Sequence, residues 1–393
     1  MALDPPAATA ALIDSLGAQA LAKAASYTAG NHWLLLWNLV AGGLVAWVVV
    51  RSGLLDRIDA RLGRRGANAR AFAAGAVYFP VSALLALPWT LYAEWWRERD
   101  YGRTSQPLGD FLGQALLSTL ISSVVGALFF VGVYALIRRT GPRWWLWSGG
   151  LAAATAGVLM LAGPVFIEPL FNDYKPVPPG EVRAALEEMA GRSGVPPERL
   201  FVFDGSRQSN NFTANVAGIG GSARIAISDV AFKGASLDEV KAVTGHEIGH
   251  YVLGHVWWGI AAITAIIMVA FLLADRLFPA FARLFGSAAA LPDPRGLPVV
   301  LFMVSLFLLL ATPVMSTLSR VSERASDRHS LETVNLPDAL ATALVKTAEY
   351  RDPRPHPLQE ALFYTHPSVE RRVLAAMQWK ASKAAGASSS APQ

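Results

Sequence analysis

His246, Glu247 and His250 form the pattern His-Glu-x-x-His. Residues four apart on a helix point the same way, so two imidazoles at this spacing can hold one Zn2+. The carboxylate between them can then act as base on a water. The chain has only 7 His, so a chance match carries little weight. Catalytic zinc commonly takes three protein ligands and leaves a position open. His255 is the nearby candidate, but the extended motif would need Gly and His where the chain has Leu253 and Val256. On a continuing helix His255 falls about 180° from His246, at about 100° per residue. It is therefore expected as a histidine at the membrane surface. Glu323, in Ser-Arg-Val-Ser-Glu-Arg-Ala-Ser-Asp (319–327), is the better third ligand. Two membrane crossings separate it from His246, which returns it to the same face. Asp327 follows one helical turn later, where it can hydrogen-bond the free ring nitrogen of a ligand histidine.

The elements that must position these residues are mostly membrane helices. Of 393 residues, 53% are hydrophobic and 16% charged, with 12 Trp, which excludes an ordinary soluble fold. The net charge of +5 comes largely from Arg in short loops, and no basic stripe suggests nucleic acid as a partner. Without Cys, thiol catalysis, thiolate metal sites and disulfides are excluded. No basic segment followed by an apolar core opens the chain, so no cleaved signal peptide is expected. Six uncharged runs can each span about 30 Å of hydrocarbon: Trp33–Val50, Ala71–Ala93, Phe111–Ile137, Trp144–Ile167, Val256–Ala274 and Gly296–Ser319. Trp pairs lie at run ends, as an interfacial belt requires, and Pro80, Pro88 and Pro313 should kink their helices.

The expected organisation follows. Residues 1–31 form an amphipathic segment and 32–168 four transmembrane helices; a seventh span would need residues 8–27 to cross. Residues 169–255 form a catalytic α/β segment. In it, 179–194 reads as a helix ending at Gly194, 199–205 as a strand, and 210–229 as a hairpin with a Gly-rich turn. Ser236 and Glu239 form a capping box that opens the zinc helix. Residues 256–319 give two more spans, 320–380 a helical catalytic segment, and 381–393 a disordered tail.

At the level of motifs the chain resembles the CAAX prenyl endopeptidase family of integral-membrane zinc metalloproteases, with HtpX-like relatives further off. The resemblance rests on "HEIGH" (246–250), "SRVSERASD" (319–327), "SRQSNNFTANVAGIG" (206–220) and "THPSVERRV" (365–373). It implies a mainly α membrane protein whose helices, six or seven, surround a chamber, with a small gluzincin-like α/β zinc domain. It implies one Zn2+ per chain on His246, His250 and Glu323, Glu247 as base, and His366 as a second catalytic group. Asn210 and Arg372 would be substrate contacts, with the hairpin around Asn210–Asn215 binding peptide as an added strand. Arg324 and Ser326 depart from the family's usual residues.

The implied function is zinc-dependent endoproteolysis of membrane-associated or prenylated substrates by a monomer in the lipid bilayer, for a bacterial host the inner membrane. The alternatives are an HtpX-like quality-control protease and a non-catalytic zinc scaffold; an intact Glu247 counts against the scaffold. An intramembrane site-2-type protease would bury the motif in a span, whereas a capped polar helix precedes it here. Orientation divides the arguments. The resemblance implies a cytoplasmic catalytic face, yet loops 51–70, 138–143 and 275–295, on the opposite face, carry most of the short-loop Arg.

Overall fold

The computed structural model describes residues 3–218 and 222–389. Part of the Gly-rich turn (219–221) and the last four tail residues lie outside the described residues. The N-terminal half contains α1 (Pro5–Asp14), α2 (Ala18–Arg51), α3 (Leu54–Leu62), α4 (Ala67–Thr90), α5 (Arg97–Asp100), α6 (Leu108–Thr140) and α7 (Trp144–Ala162). By length and apolarity, four continuous helical stretches can cross a membrane: Ala18–Arg51, Ala67–Asp100, Leu108–Leu170 and His255–Phe285. A bent pair, Pro294–Leu310 and Thr312–Thr333, makes a fifth. The stretch Leu108–Leu170 doubles back at Gly141–Arg143, where Gly141 adopts φ +54°, and Gly132 of α6 packs against Leu151 of α7. Counted as the two helices α6 and α7, it brings the crossings to the six expected.

The bundle closes over a core that includes Val49, Tyr78, Phe130, Trp144, Phe278 and Met303. Small residues let its helices touch: a Cβ on Gly75 of α4 would stand 2.8 Å from the Ala127 backbone of α6. Arg51 packs beside Gly286 and Arg295 pairs with Asp56 at 3.0 Å, while Arg138 donates to Asn68. The Arg-bearing loops therefore gather at one end of the bundle. At the other end the 101–107 loop meets the catalytic segment.

The N-terminal segment differs from expectation. Gly17, at φ +80°, separates two helices, and α2 runs from Ala18 straight through the first span, so no boundary falls near residue 31. Ile13 of α1 is fully buried in the soluble core, which leaves residues 8–27 forming no seventh span.

The soluble part adds β1 (Tyr174–Pro176), α8 (Glu181–Ser193), β2 (Leu200–Phe203), β3 (Ala214–Ala217), β4 (Arg224–Ser228), α9 (Asp229–Gly234) and α10 (Leu237–Val252). The strand order is β1-β2-β4-β3, with β3 antiparallel to β4 at one edge. Gly194 closes α8 in the left-handed region, where a residue without Cβ is favoured. Ser236 caps α10 and Glu239 returns the bond, completing the capping box. The sheet, α8 and α10 share a core of Leu186, Leu200, Ile225, Ile227, Val240 and Ile248.

Next come α11 (His255–Phe285), α12 (Leu297–Leu310), α13 (Thr312–Thr333), α14 (Pro337–Lys346), α15 (Pro357–Phe363) and α16 (Val369–Ser389). The sixth run is not straight: α12 and α13 meet at 53°, next to Pro313, which cannot continue the hydrogen-bond ladder. Helix α16 extends to Ser389, over residues expected as disordered tail. Its Val373 and Met377 pack with Ile13, Leu340 and Leu344 in a separate core.

Candidate metal and active site

Two glycines on α10 fix the site. A Cβ at Gly245 would meet Ser330 Oγ at 3.1 Å and Val334 at 2.5 Å; one at Gly249 would stand 3.0 Å from the Ser326 backbone. The bare faces of these glycines lie against small serines, so α10 and α13 come close enough for side chains flanking the contact to meet. Ser330 Oγ also donates to Ala242 O at 2.6 Å. The contact brings His246, His250 and Glu323 together, with one donor atom from each lying within 4.8 Å of the others.

The donor atoms have the spacing of a metal site. His246 Nε2 and His250 Nε2 are 3.2 Å apart, and each lies 3.3 Å from an oxygen of Glu323. Ligands about 2.0–2.1 Å from a tetrahedral ion would be separated by about 3.3–3.4 Å. The other imidazole nitrogens are occupied. His246 Nδ1 donates to Asp327 Oδ1 at 2.9 Å, and His250 Nδ1 faces His255 Nδ1 at 3.0 Å. With those positions carrying the protons, both Nε2 lone pairs point at each other and at a carboxylate. Glu323 Oε2 is buried without a hydrogen-bond partner. A cation relieves all three, and two imidazoles with one carboxylate suit a borderline metal ion.

The electrostatics separate the carboxylates. Burial alone would raise the pKa of Glu323, but the imidazoles of His246 and His250 facing it hold it far below the usual range. Burial pushes Glu247 up, so the group between the ligands is the more basic one. Burial opposes the charged form of His246 as well, yet Asp327 and Glu323 raise it to about 9. Asp327 stays ionised near 2, because Arg372 and His246 outweigh its burial.

Arg372 sits behind the site. Its Nε and Nη2 donate to both Asp327 oxygens at 2.7 Å, and it is only 8% exposed. Its fork is thus directed at Asp327. Asn210 stands away from the ligands. It donates from Nδ2 to Gly102 O at 3.0 Å and from its backbone to Arg103 O at 2.8 Å, tying its loop to that between α5 and α6. His366 does reach the cluster, with Nε2 3.2 Å from Glu323 Oε1. Thr365 Oγ1 lies 3.0 Å from its Nδ1.

His255 lies where the helix-wheel argument did not place it. The helix does not continue: α10 ends at Val252, Gly254 adopts φ +66°, and the turn swings His255 back onto His250. Gly254 was the available signal. Arg320, which no sequence pattern marks as buried, donates to Glu360 O and Tyr364 O at 2.8 and 2.6 Å. It thereby anchors the turn that carries His366.

Two cavities meet at Glu247. One, of 170 Å3, is bounded by Thr213, Ala214, His246, Arg351 and His366. The other, of 1010 Å3, is mostly apolar, bounded by Val216, His250, Trp258, Ile263 and Leu318. Strand β3 runs from the first to the second, and its outer edge carries no partner strand among the described residues.

This fold and cluster define a membrane-embedded metallopeptidase. Residues 176–380 match the model of peptidase family M48, and residues 3–173 that of the CAAX prenyl protease N-terminal region, described as five membrane helices. The chain belongs to peptidase family M48. Four of its crossings fall within that N-terminal match. It is 29% identical over 282 residues to the uncharacterized metalloprotease YhfN of Bacillus subtilis, covering 70% of this chain and 66% of that one. It is 28% identical over 318 residues to CAAX prenyl protease 1 of Saccharomyces cerevisiae, covering 75% and 69%. An Arabidopsis thaliana CAAX prenyl protease 1 homolog is 26% identical over 339 residues, covering 85% and 79%. The crystal structure of S. mikatae Ste24p shares the fold, with a TM-score of 0.71 at 20% identity over 93% of this chain and 90% of that one.

If the glycine contact positions the ligands, Gly249→Val should lower metal affinity at least about 10-fold, the scale of lost ligand positioning. Gly113→Val, with open space around it, should not. Chelator competition on the two purified variants measures this; equal affinity would show that the close approach is dispensable.

Proposed function

We propose that the chain is a zinc metalloendopeptidase, similar to CAAX prenyl proteases, that cleaves lipidated or otherwise membrane-anchored peptides. The observation that carries this reading is the position of Glu247. It lies beside the His246–His250–Glu323 cluster, where a polar cavity and an apolar one meet along a free strand edge. His246, His250 and Glu323 would hold one Zn2+, which when bound supplies Lewis acidity toward a scissile carbonyl. Glu247 takes the proton of the attacking water and passes it to the leaving amine. The edge of β3 orients the peptide through main-chain hydrogen bonds. The apolar cavity takes the lipid or apolar side chain. Asn210 acts at a distance by fastening the loop that leads into β3.

Three neighbours keep the ligands in place. Asp327 and Arg372 fix the tautomer of His246, and His255 fixes that of His250. His366 is held neutral by burial and by Arg351. With Nδ1 accepting from Thr365, its Nε2 carries the proton, which faces Glu323 Oε1 at 3.2 Å and from there can turn to a developing oxyanion. Every group comes from one chain, so a monomer suffices. We place the protein in a bacterial inner membrane with the site facing the cytoplasm, as the family resemblance implies, although the Arg-bearing loops argue the reverse. Alkaline phosphatase fused beyond Ser389 should then be inactive; active enzyme would reverse the orientation.

Glu247→Gln should abolish cleavage of a farnesylated peptide while leaving zinc bound. Turnover above a few per cent of wild type would remove Glu247 as the base. Arg372→Gln should lower zinc affinity, by about 10–100-fold, with peptide KM unchanged. A raised KM at full zinc occupancy would return Arg372 to the substrate.

A further inference from the structure

A third cavity, a groove of 430 Å3, lies between α13 and α16 behind the metal cluster. It shares no lining residue with the large apolar cavity and only Arg372 with the small one. Its charge is one-sided. Four arginines, Arg324, Arg328, Arg371 and Arg372, line it with one carboxylate, Asp327, and Arg372 already holds that one. Arg328 pairs with Glu332 at 2.7 Å and Arg371 with Glu360 at 3.2 Å, through one nitrogen each, so both keep further N–H groups. Arg324 has no hydrogen-bond or ion-pair partner among the described residues. It is also a position where the chain departs from the residues usual in the family it resembles.

The outer face of α13 bears on what fills the groove. Val314, Val321, Arg324 and Arg328 follow at spacings of 7, 3 and 4, so they share one stripe of the helix. Val314 and Val321 are 56% and 58% exposed, and Leu318 between them 45%. Leu318 and Val321 also border the large apolar cavity, so apolar surface runs along α13 up to the first arginine. At about 1.5 Å per residue, Arg324 and Arg328 stand about 5 and about 10 Å further along the helix than Val321. That is the step from hydrocarbon into headgroups, which occupy about 5–8 Å of each leaflet. On the opposite wall Trp379 supplies a ring of the kind that favours the same zone. A small free anion would use the arginines and not the stripe. A molecule with phosphate at one end and hydrocarbon at the other uses both.

We propose that the groove between α13 and α16 seats the phosphate headgroup of an anionic phospholipid, whose acyl chains lie along the apolar part of α13. Arg324 and Arg328 grip the phosphate, since guanidinium groups match its oxygens in pairs. Arg371 closes the far wall. The floor is the Arg372–Asp327 pair that supports His246, and the seated headgroup covers that pair. The site does not depend on which peptide the enzyme cleaves.

The chain has no Cys, so Ala375→Cys gives a single reporter thiol in the groove. Full-length protein is placed in nanodiscs of phosphatidylcholine, with and without phosphatidylglycerol, and labelled with an uncharged maleimide. The ratio of the two rates is read for each variant. Phosphatidylglycerol should slow labelling at least about 5-fold, the worth of one arginine at an anionic lipid surface. Arg324→Gln with Arg328→Gln should abolish the protection at an unchanged melting temperature, and Lys at both positions should keep most of it. Arg324→Gln alone, which breaks no pair, should already reduce the protection at least about 2-fold. Arg64→Gln with Arg65→Gln, at the other end of the bundle, should leave it intact. Equal rates in the two bilayers would overturn the inference, as would protection that survives loss of both groove arginines. The same protection from millimolar inorganic phosphate in pure phosphatidylcholine would overturn it too, since a free anion would then suffice.

Discussion

The close approach of α10 and α13 is the constraint on which the rest of the site depends. Gly245 and Gly249 present bare backbone to Ser326 and Ser330. A Cβ on Gly249 would crowd the Ser326 backbone, and one on Gly245 the Val334 side chain. This contact brings a carboxylate from one helix between two imidazoles of the other, although Glu323 lies 73 positions after His250. Glycine normally weakens a helix interior. Here the capping box at Ser236 and burial of Val240 and Ile248 in the sheet core offset that weakness. The outer supports then follow: Asp327, one turn beyond Glu323, meets His246, and Arg372 of α16 locks Asp327.

The same geometry explains how hydrolytic chemistry can sit at a membrane mouth. The metal helix ends before the span begins, at the left-handed Gly254. On the return, α12 and α13 bend apart at Ala311. His246 and His250 therefore stand on a helix that stops short of the span and Glu323 beyond the bend, and the apolar cavity opens beside them. The polar cavity lies on the β3 side, and the apolar one on the side of the spans. Small residues serve in the membrane as well as at the site, since Gly75 against Ala127 packs α4 onto α6 as Gly249 against Ser326 packs α10 onto α13.

Much of this was legible in the sequence because its signals are local and periodic. The apolar runs set the six crossings, the Ser236–Glu239 pair set the start of α10, and alternating residues set the β3–β4 hairpin. His-Glu-x-x-His marks one helix face by spacing alone, and crossing parity returned Glu323 to the same side. What escaped depended on tertiary direction. The reversal at Gly254 decided whether His255 faced away or met His250, and a helix wheel cannot see a turn. Arg372 and Arg320 are the same residue type, and only their surroundings separate a locked support from a loop anchor. Asn210 sits in a recognisable stretch, yet its side chain is committed to the 102–105 loop. The long α2 was hidden because Lys23 and the polar residues near it interrupt the apolar pattern without interrupting the helix.

The central claim is that α10 and α13 together build one metal centre from two imidazoles and a carboxylate. X-ray absorption at the zinc edge of the purified, zinc-loaded protein tests it most directly. The account predicts one zinc per chain, with outer-shell scattering from two imidazole rings and a first shell of nitrogen and oxygen only. On Glu323→Ala the imidazole count should stay at two while affinity falls. A three-imidazole pattern in the wild type, with His255 or His366 in place of Glu323, or a protein that takes up no zinc, would contradict it.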